Sequence, residues 1–254
     1  MTLKASICID AVLEQMSTTQ AMQLAAELGY PAIEFWKWWE KDIDELLRTR
    51  DALGLQIAAC CTRFVSLVDP SRRDEYLEGL AESVQVAQRL GCPTLISQVG
   101  DFRPGVPRQE QHACLVEGLQ AAVGVLSGSG VTLAIEPLNE LIDHPGYYLV
   151  RSSEAFEIVA AVNHPQIKVT FDIYHQQISE GHIIANLQAD IEHIAHFHAA
   201  GNPGRHELTR GELDYPAIFD SIRQTSFDGF VGLEYWPVEA PEIGLREVAQ
   251  WFPR

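Results

Sequence analysis

Four side chains in the second half of the 254-residue chain could share one chemical task. They are Glu136 in VTLAIEPL (131–138), Asp172 in KVTFDIYH (168–175), His198 in IAHFHAAG (194–201) and Glu234 in FVGLEYW (230–236). Each follows three or more mostly apolar residues. A lone charge in such a run costs on the order of several kcal/mol unless something pairs with it. Three carboxylates brought together would also push one another's pKa upward, and a shared divalent cation resolves that conflict. Oxygen-rich ligation favours Mg2+ or Mn2+ over a structural zinc site, while the imidazole tilts the choice toward Mn2+ or another transition ion.

The elements that must position these residues recur along the whole sequence. SICID (6–10), AIEFW (32–36), LQIAACC (55–61) and TLISQVG (94–100) precede the four runs above, making eight β-like segments. Helical patterns separate most of them. In STTQAMQLAAELGY, Ser17 or Thr18 can cap the start and Gly29 the end. DPSRRDEYLEGLAESVQVAQRLG and PRQEQHACLVEGLQAAVGVLSGSG have the same build, each closing on Gly. Eight alternations in about 250 residues predict an α/β fold, a (β/α)8 TIM barrel. No linker or composition break interrupts the repeat, so residues 1–254 read as a single domain. An open doubly wound sheet would carry a GxGxxG or GxxxxGK[ST] phosphate loop, and the chain has neither. The sixth crossover (184–190) is short for a full helix.

In such a barrel, catalytic groups sit at the C-terminal ends of the strands, so the four residues would meet at one rim. Side-chain alternation agrees: Thr132, Ala134 and Glu136 share a face, as do Ile194, His196 and His198, and Phe230, Gly232 and Glu234. His175 alternates with Asp172 and reaches the same site only if the chain bends after Asp172. Any one of these residues alone is more often a structural ion pair or hydrogen-bonded core group, but four at equivalent strand ends point to a site. A second device is AAGNPGRHELTRGELDY (199–215), a glycine-rich loop leading to a helix capped near Asp214. Its Arg205 can hold a carboxylate through two parallel hydrogen bonds.

The remaining candidates read as structure. His196 fills the barrel interior; His193, His164 and His144 look like loop or surface residues. Trp36, Trp38, Trp39 and Trp236 either wall the pocket or pack against helices or a second subunit. Cys8, Cys60, Cys61, Cys92 and Cys114 lack CxxC spacing and read as buried free thiols. A formal charge of −17 works against non-specific nucleic-acid binding. No apolar run reaches the ~18 residues of a membrane span, and MTLKASICID lacks a signal-peptide layout, which makes the cytoplasm the simplest location. Self-association stays open.

The chain resembles the xylose-isomerase-like barrel superfamily, and within it the hydroxypyruvate isomerase family. The stretches that carry the likeness are IEPLNELIDHPGYYL (135–149), KVTFDIYHQQISEGHI (168–183), IAHFHAAGNPGRHELTRGELDYPAIFDSI (194–222) and GFVGLEYWP (229–237). The N-terminal half matches mainly in architecture. The resemblance implies that Glu136 and Glu234 are paired catalytic glutamates that also ligate the metal, that Asp172 is a further ligand, and that His175 contacts substrate oxygen. It also makes Arg205 the substrate-binding arginine. His198 departs from the hydroxypyruvate isomerase pattern, which usually has glutamine there, and matches the histidine of related ketose 3-epimerases.

The implied function is metal-dependent isomerisation of hydroxypyruvate, a small-molecule substrate, to tartronate semialdehyde through an enediolate, with no organic cofactor. A ketose 3-epimerase or a related sugar or 2-oxo acid isomerase would use the same groups, since both reactions begin with proton removal beside a carbonyl. A metal- or sugar-binding barrel without turnover is a further alternative. An apurinic-site endonuclease, which shares the barrel, would want a richer His/Asp zinc cluster and a basic surface.

Overall fold

The computed structural model describes residues 3–252. Eight parallel strands close into a barrel in sequence order: β1 (Lys4–Cys8), β2 (Ala32–Phe35), β3 (Gln56–Cys61), β4 (Thr94–Ser97), β5 (Thr132–Ile135), β6 (Ile167–Asp172), β7 (Ile194–Ala199) and β8 (Phe230–Leu233). Around them run α1 (Thr18–Glu27), α2 (Ile43–Leu53), α3 (Arg73–Leu90), α4 (Arg108–Leu126), α5 (Ser152–Val162), α6 (Ile173–Ser179), α7 (Ile183–Ala189), α8 (Tyr215–Arg223) and α9 (Pro241–Ala249). This is the (β/α)8 TIM barrel that the alternation predicts.

The helix ends follow local chemistry. Ser17 and Gln20 form a reciprocal capping box at α1. Gly91 ends α3 in the left-handed conformation at φ 60°, where a side chain would be strained. α4 differs from expectation: it stops at Leu126 with Ser127 as its cap, one residue before the first glycine of SGSG. Asp214 caps α8 by accepting from the Ala217 N–H at 3.2 Å. The weak sixth crossover is two short helices, α6 and α7, in place of one. No helix among the described residues is long and apolar enough to cross a membrane.

Large apolar residues lie between barrel and helices. Ile33, Leu133, Ile135, Phe197, Val231 and Leu233 all belong to that one cluster. Many of the alternate strand positions are small or polar, among them Ser6, Ala32, Glu34, Thr170, His196 and Gly232, and they are buried, while Ile96 and Phe230 are large apolar exceptions in two small clusters of their own. The driving force for closure therefore sits outside the barrel. Much of its interior is left to hydrogen-bonding groups, each of which needs a partner.

Several strands are shorter than their apolar runs suggest. β5 ends at Ile135 and β8 at Leu233, so Glu136 and Glu234 are the first residues beyond them. Both stay in line because their N–H groups still donate to the neighbouring strands, Glu136 to the Ser97 carbonyl at 3.2 Å and Glu234 to the Ala199 carbonyl at 3.1 Å. His198 lies within β7, one residue before its end. The required bend after Asp172 exists: β6 runs directly into α6, and Asp172 caps that helix through the His175 N–H at 3.0 Å.

Candidate functional site

Glu136, Asp172, His198 and Glu234 are all buried, and each offers a ligand atom within 4.8 Å of the others'. Nδ1 of His198 lies 2.7 Å from Glu136 Oε1 and 3.6 Å from Glu234 Oε2. On its other edge, His198 Nε2 stands 2.9 Å from Glu34 Oε1, at ion-pair distance but angled away from a linear hydrogen bond. Burial works against a charged His198. The carboxylates of Glu234, Glu136 and Glu34 overcome it and hold the imidazole pKa well above its ordinary value.

The two glutamates differ in what surrounds them. Both oxygens of Glu234 accept strong donors: the Trp36 indole N–H at 2.6 Å on Oε1 and the Arg205 guanidinium on Oε2. Burial raises the Glu234 pKa, but His198 and Arg205 outweigh it and the carboxyl is held low. Glu136 Oε1 faces His198, while its Oε2 has only the Gln98 amide at 3.5 Å. Asp172 is pushed up to about 7, chiefly by burial and against the pull of Arg205 and His198, with Glu234 and Glu136 adding to the rise.

His175 and Arg205 face the same cavity of about 380 Å3, walled by Trp36, Phe64, Leu138, Tyr147 and Trp236. The backbone N–H of Asn139 donates to His175 Nδ1 at 3.2 Å, so in the neutral ring the proton is on Nε2. That Nε2 is buried without a hydrogen-bond partner. Burial, then Arg205, holds the His175 pKa well below its ordinary value and keeps the ring neutral. Arg205 sits at φ 56°, with its guanidinium 5.3 Å from the Tyr174 ring centre and 5.0 Å from that of Trp236. Its Nε also lacks a partner. The site thus holds one neutral and one charged N–H group that are buried without a protein hydrogen-bond partner, on residues that border the cavity.

Other residues fall into place around it. His196 fills the interior as expected, 2.9 Å from Glu34 Oε2. His144 differs from its expected surface position: it lines the cavity, half-buried, with its ring 5.3 Å from that of His175. An antiparallel bridge between Asp101 and Tyr147 folds that loop back over the site. The Tyr147 hydroxyl also ties the loop to the strand end by donating to the Glu136 carbonyl at 3.0 Å. Trp36 and Trp236 wall the cavity, whereas Trp38 donates to Ser83 on α3 and Trp39 packs on Phe64. All five cysteines are free and buried. Glu34 escaped the sequence reading, although a carboxylate inside AIEFW is the same signal that marks Glu136 in VTLAIEPL.

The family model described as xylose isomerase-like TIM barrel matches residues 22–254. The chain belongs to that family. Within the xylose isomerase-like barrels, it is similar to the hydroxypyruvate isomerase of Escherichia coli (strain K12), 31% identical over 231 residues, or 87% of this chain and 89% of that one. It is also similar to the 2-oxo-tetronate isomerase of Cupriavidus necator, 33% identical over 230 residues, or 87% and 88% of the two chains. Both relatives are named isomerases. Among solved structures, an AP endonuclease, family 2, from Brucella melitensis superposes with a TM-score of 0.93 at 27% identity over the whole of both chains.

Proposed function

We propose that this protein is a metal-dependent isomerase that interconverts hydroxypyruvate and tartronate semialdehyde by proton transfer through an enediolate. The observation that carries this reading is the meeting of Glu136, Asp172, His198 and Glu234 under a cavity that His175 and Arg205 also border. The named isomerase relatives support it, and a net charge of −17 opposes a nucleic-acid substrate.

Three carboxylate oxygens and one imidazole nitrogen suit Mg2+ or Mn2+. The fit is supported by charge: Glu34, Glu136, Asp172 and Glu234 are buried together, with the Arg205 guanidinium beside Glu234 and Asp172, and a neutral His198 leaves Nδ1 free to serve as a ligand. Glu136, Asp172, Glu234 and His198 Nδ1 would hold the ion. When bound, a divalent cation supplies Lewis-acid stabilisation of the oxyanion that develops as the proton leaves.

The protein's own groups perform the rest. The reaction moves one carbon-bound proton from C3 to C2 and one hydroxyl proton from O3 to O2, with no change of formula. Arg205 binds the substrate carboxylate, starting from an Nε–H that has no protein partner. His175 donates its Nε2–H to the developing oxyanion. Glu136 takes the C3 proton, because its Oε2 is the least engaged oxygen of the two glutamates. Glu234, held ionised by Trp36, His198 and Arg205, is a poor proton donor. The protonated Glu136 therefore returns the proton to C2.

A second reading is favoured by the cavity, which at about 380 Å3 exceeds what a three-carbon acid fills, and by His198. A four-carbon 2-oxo acid or a ketose would use the same groups. The test is to add Mg2+ or Mn2+ to metal-stripped protein and follow hydroxypyruvate, longer 2-oxo acids and ketoses by NMR in deuterated water. Turnover of hydroxypyruvate is expected. Turnover of ketoses alone would move the assignment to epimerase, and neither turnover nor exchange with any of them would sink the reading. With C3-deuterated hydroxypyruvate in ordinary water, label that reaches C2 is the expected mark of a single carboxylate serving both carbons.

A further inference from the structure

Beneath the four-residue cluster, Glu34 sits inside the barrel at 2% exposure. Its Oε2 accepts from the Ser6 hydroxyl at 2.5 Å and lies 2.9 Å from His196 Nε2. Its Oε1 lies 2.9 Å from His198 Nε2. The two imidazoles stand edge to face, with ring centres 5.0 Å apart. Asp172, His198, Gly232 and Ser6 are successive register partners across β6, β7, β8 and β1. The Glu34 carboxylate lies over the glycine of that row, where a Cβ at residue 232 would collide with both of its oxygens.

We infer that Glu34 is a positioning residue: by lying at ion-pair distance, off the line of a hydrogen bond, between Nε2 of His196 and Nε2 of His198, it holds the His198 ring with Nδ1 turned toward Glu136, Asp172 and Glu234. A ring engaged at one nitrogen by a carboxylate presents the other as a ligand in a fixed direction, which makes it a stronger donor. The inference rests on the reading of those four residues as a cation site. It adds a residue from β2, on the half of the barrel that supplies none of the four.

The test titrates Mn2+ into the metal-stripped wild type, Glu34→Ala and Glu34→Gln, with free Mn2+ read by electron paramagnetic resonance. Crystal structures of the metal-free proteins report the His198 ring, and thermal unfolding reports the fold. Glu34→Ala should lose roughly 10–100-fold in Mn2+ affinity, with the His198 ring rotated. Glu34→Gln, which keeps one acceptor oxygen, should fall between. Ser6→Ala removes only the hydroxyl donor and should show a smaller loss in the same direction; it serves as the test if the Glu34 variants do not fold. Wild-type affinity in folded Glu34→Ala with an unmoved ring, or in Ser6→Ala alone, overturns the inference. No cation uptake by the wild type, together with a rotated ring in Glu34→Ala, rejects the cation reading and leaves the clamp standing. A second Mn2+ equivalent in the wild type that Glu34→Ala loses overturns the clamp. It would place an ion among Glu34, His196 and His198, whose ligand atoms also lie within 4.8 Å.

Discussion

The two halves of the barrel contribute unequally. β5 to β8 and the residues just past them provide Glu136, Asp172, His198 and Glu234, together with His175 on α6 and Arg205 in the following loop. β1 to β4 provide no member of that cluster. From that side the polar contacts to the cluster include the Trp36 indole on Glu234, the Gln98 amide on Glu136 and the Glu34 carboxylate on His198. One half carries the groups that would do chemistry, and the other aims them. The division also orders the expected consequences of mutation.

The largest effects should come from the ligand-bearing half, β5 to β8 and the loops after them. Glu136→Gln should lower kcat by about 10³-fold or more, the scale of a lost acid/base group, and Glu234→Gln, which takes a charge from the cation site, should also cost more than tenfold, with the fold retained in both by circular dichroism. Activity within tenfold of wild type in either would remove that residue from the reaction. Arg205→Ala should raise KM for a carboxylate substrate about tenfold or more, since hydrogen bonds to charged groups contribute about 1.5–3 kcal/mol. An unchanged KM would remove the anchor role.

The aiming half should respond more weakly and asymmetrically. Trp36→Phe deletes a 2.6 Å donor to Glu234 and should cost about tenfold in kcat/KM. Gln98→Ala deletes only a 3.5 Å contact to Glu136 and should change kcat/KM less. Equal losses in the two variants would contradict the difference between the glutamates.

The smallest effect concerns stability. Glu207 in the loop after β7 accepts from the backbone N–H groups of Val238, at 2.9 Å, and Glu239, at 3.3 Å, tying two rim loops together. Burial opposes ionisation of Glu207, but these bonds and Arg210 prevail and its pKa is lowered. A depressed folded-state pKa contributes stability that is present above the unfolded carboxylate value, about 4.3, and lost as pH falls through the folded value. Wild type should therefore out-melt Glu207→Gln at neutral pH, with the gap closing in acid. A gap that widens in acid would reverse the sign.

Much of the ligand-bearing half was legible because each candidate ends an apolar run, where a charge stands out. Strand lengths were over-read for the same reason: Pro137 and Leu138 continue the apolar pattern of β5 after the ladder has ended. Tyr174 and His175 extend a β-like composition, yet Asp172 turns the chain into α6 by capping it. The aiming half gave weaker signals, since Glu34 was one carboxylate in a four-residue strand with no partner nearby in sequence. His144 was missed because DHPG has the composition of an exposed turn, and only the Asp101–Tyr147 bridge, formed across 46 residues of chain, brings it inward.

Gly232 carries a consequence for how such a sequence can drift. Its missing side chain is the space that the Glu34 carboxylate occupies. The two positions can therefore change in one order only: a larger residue at 232 becomes tolerable only after the acid at 34 is gone. Lineages that keep the glutamate are confined to glycine at 232, whereas lineages that have lost it are free to fill the gap.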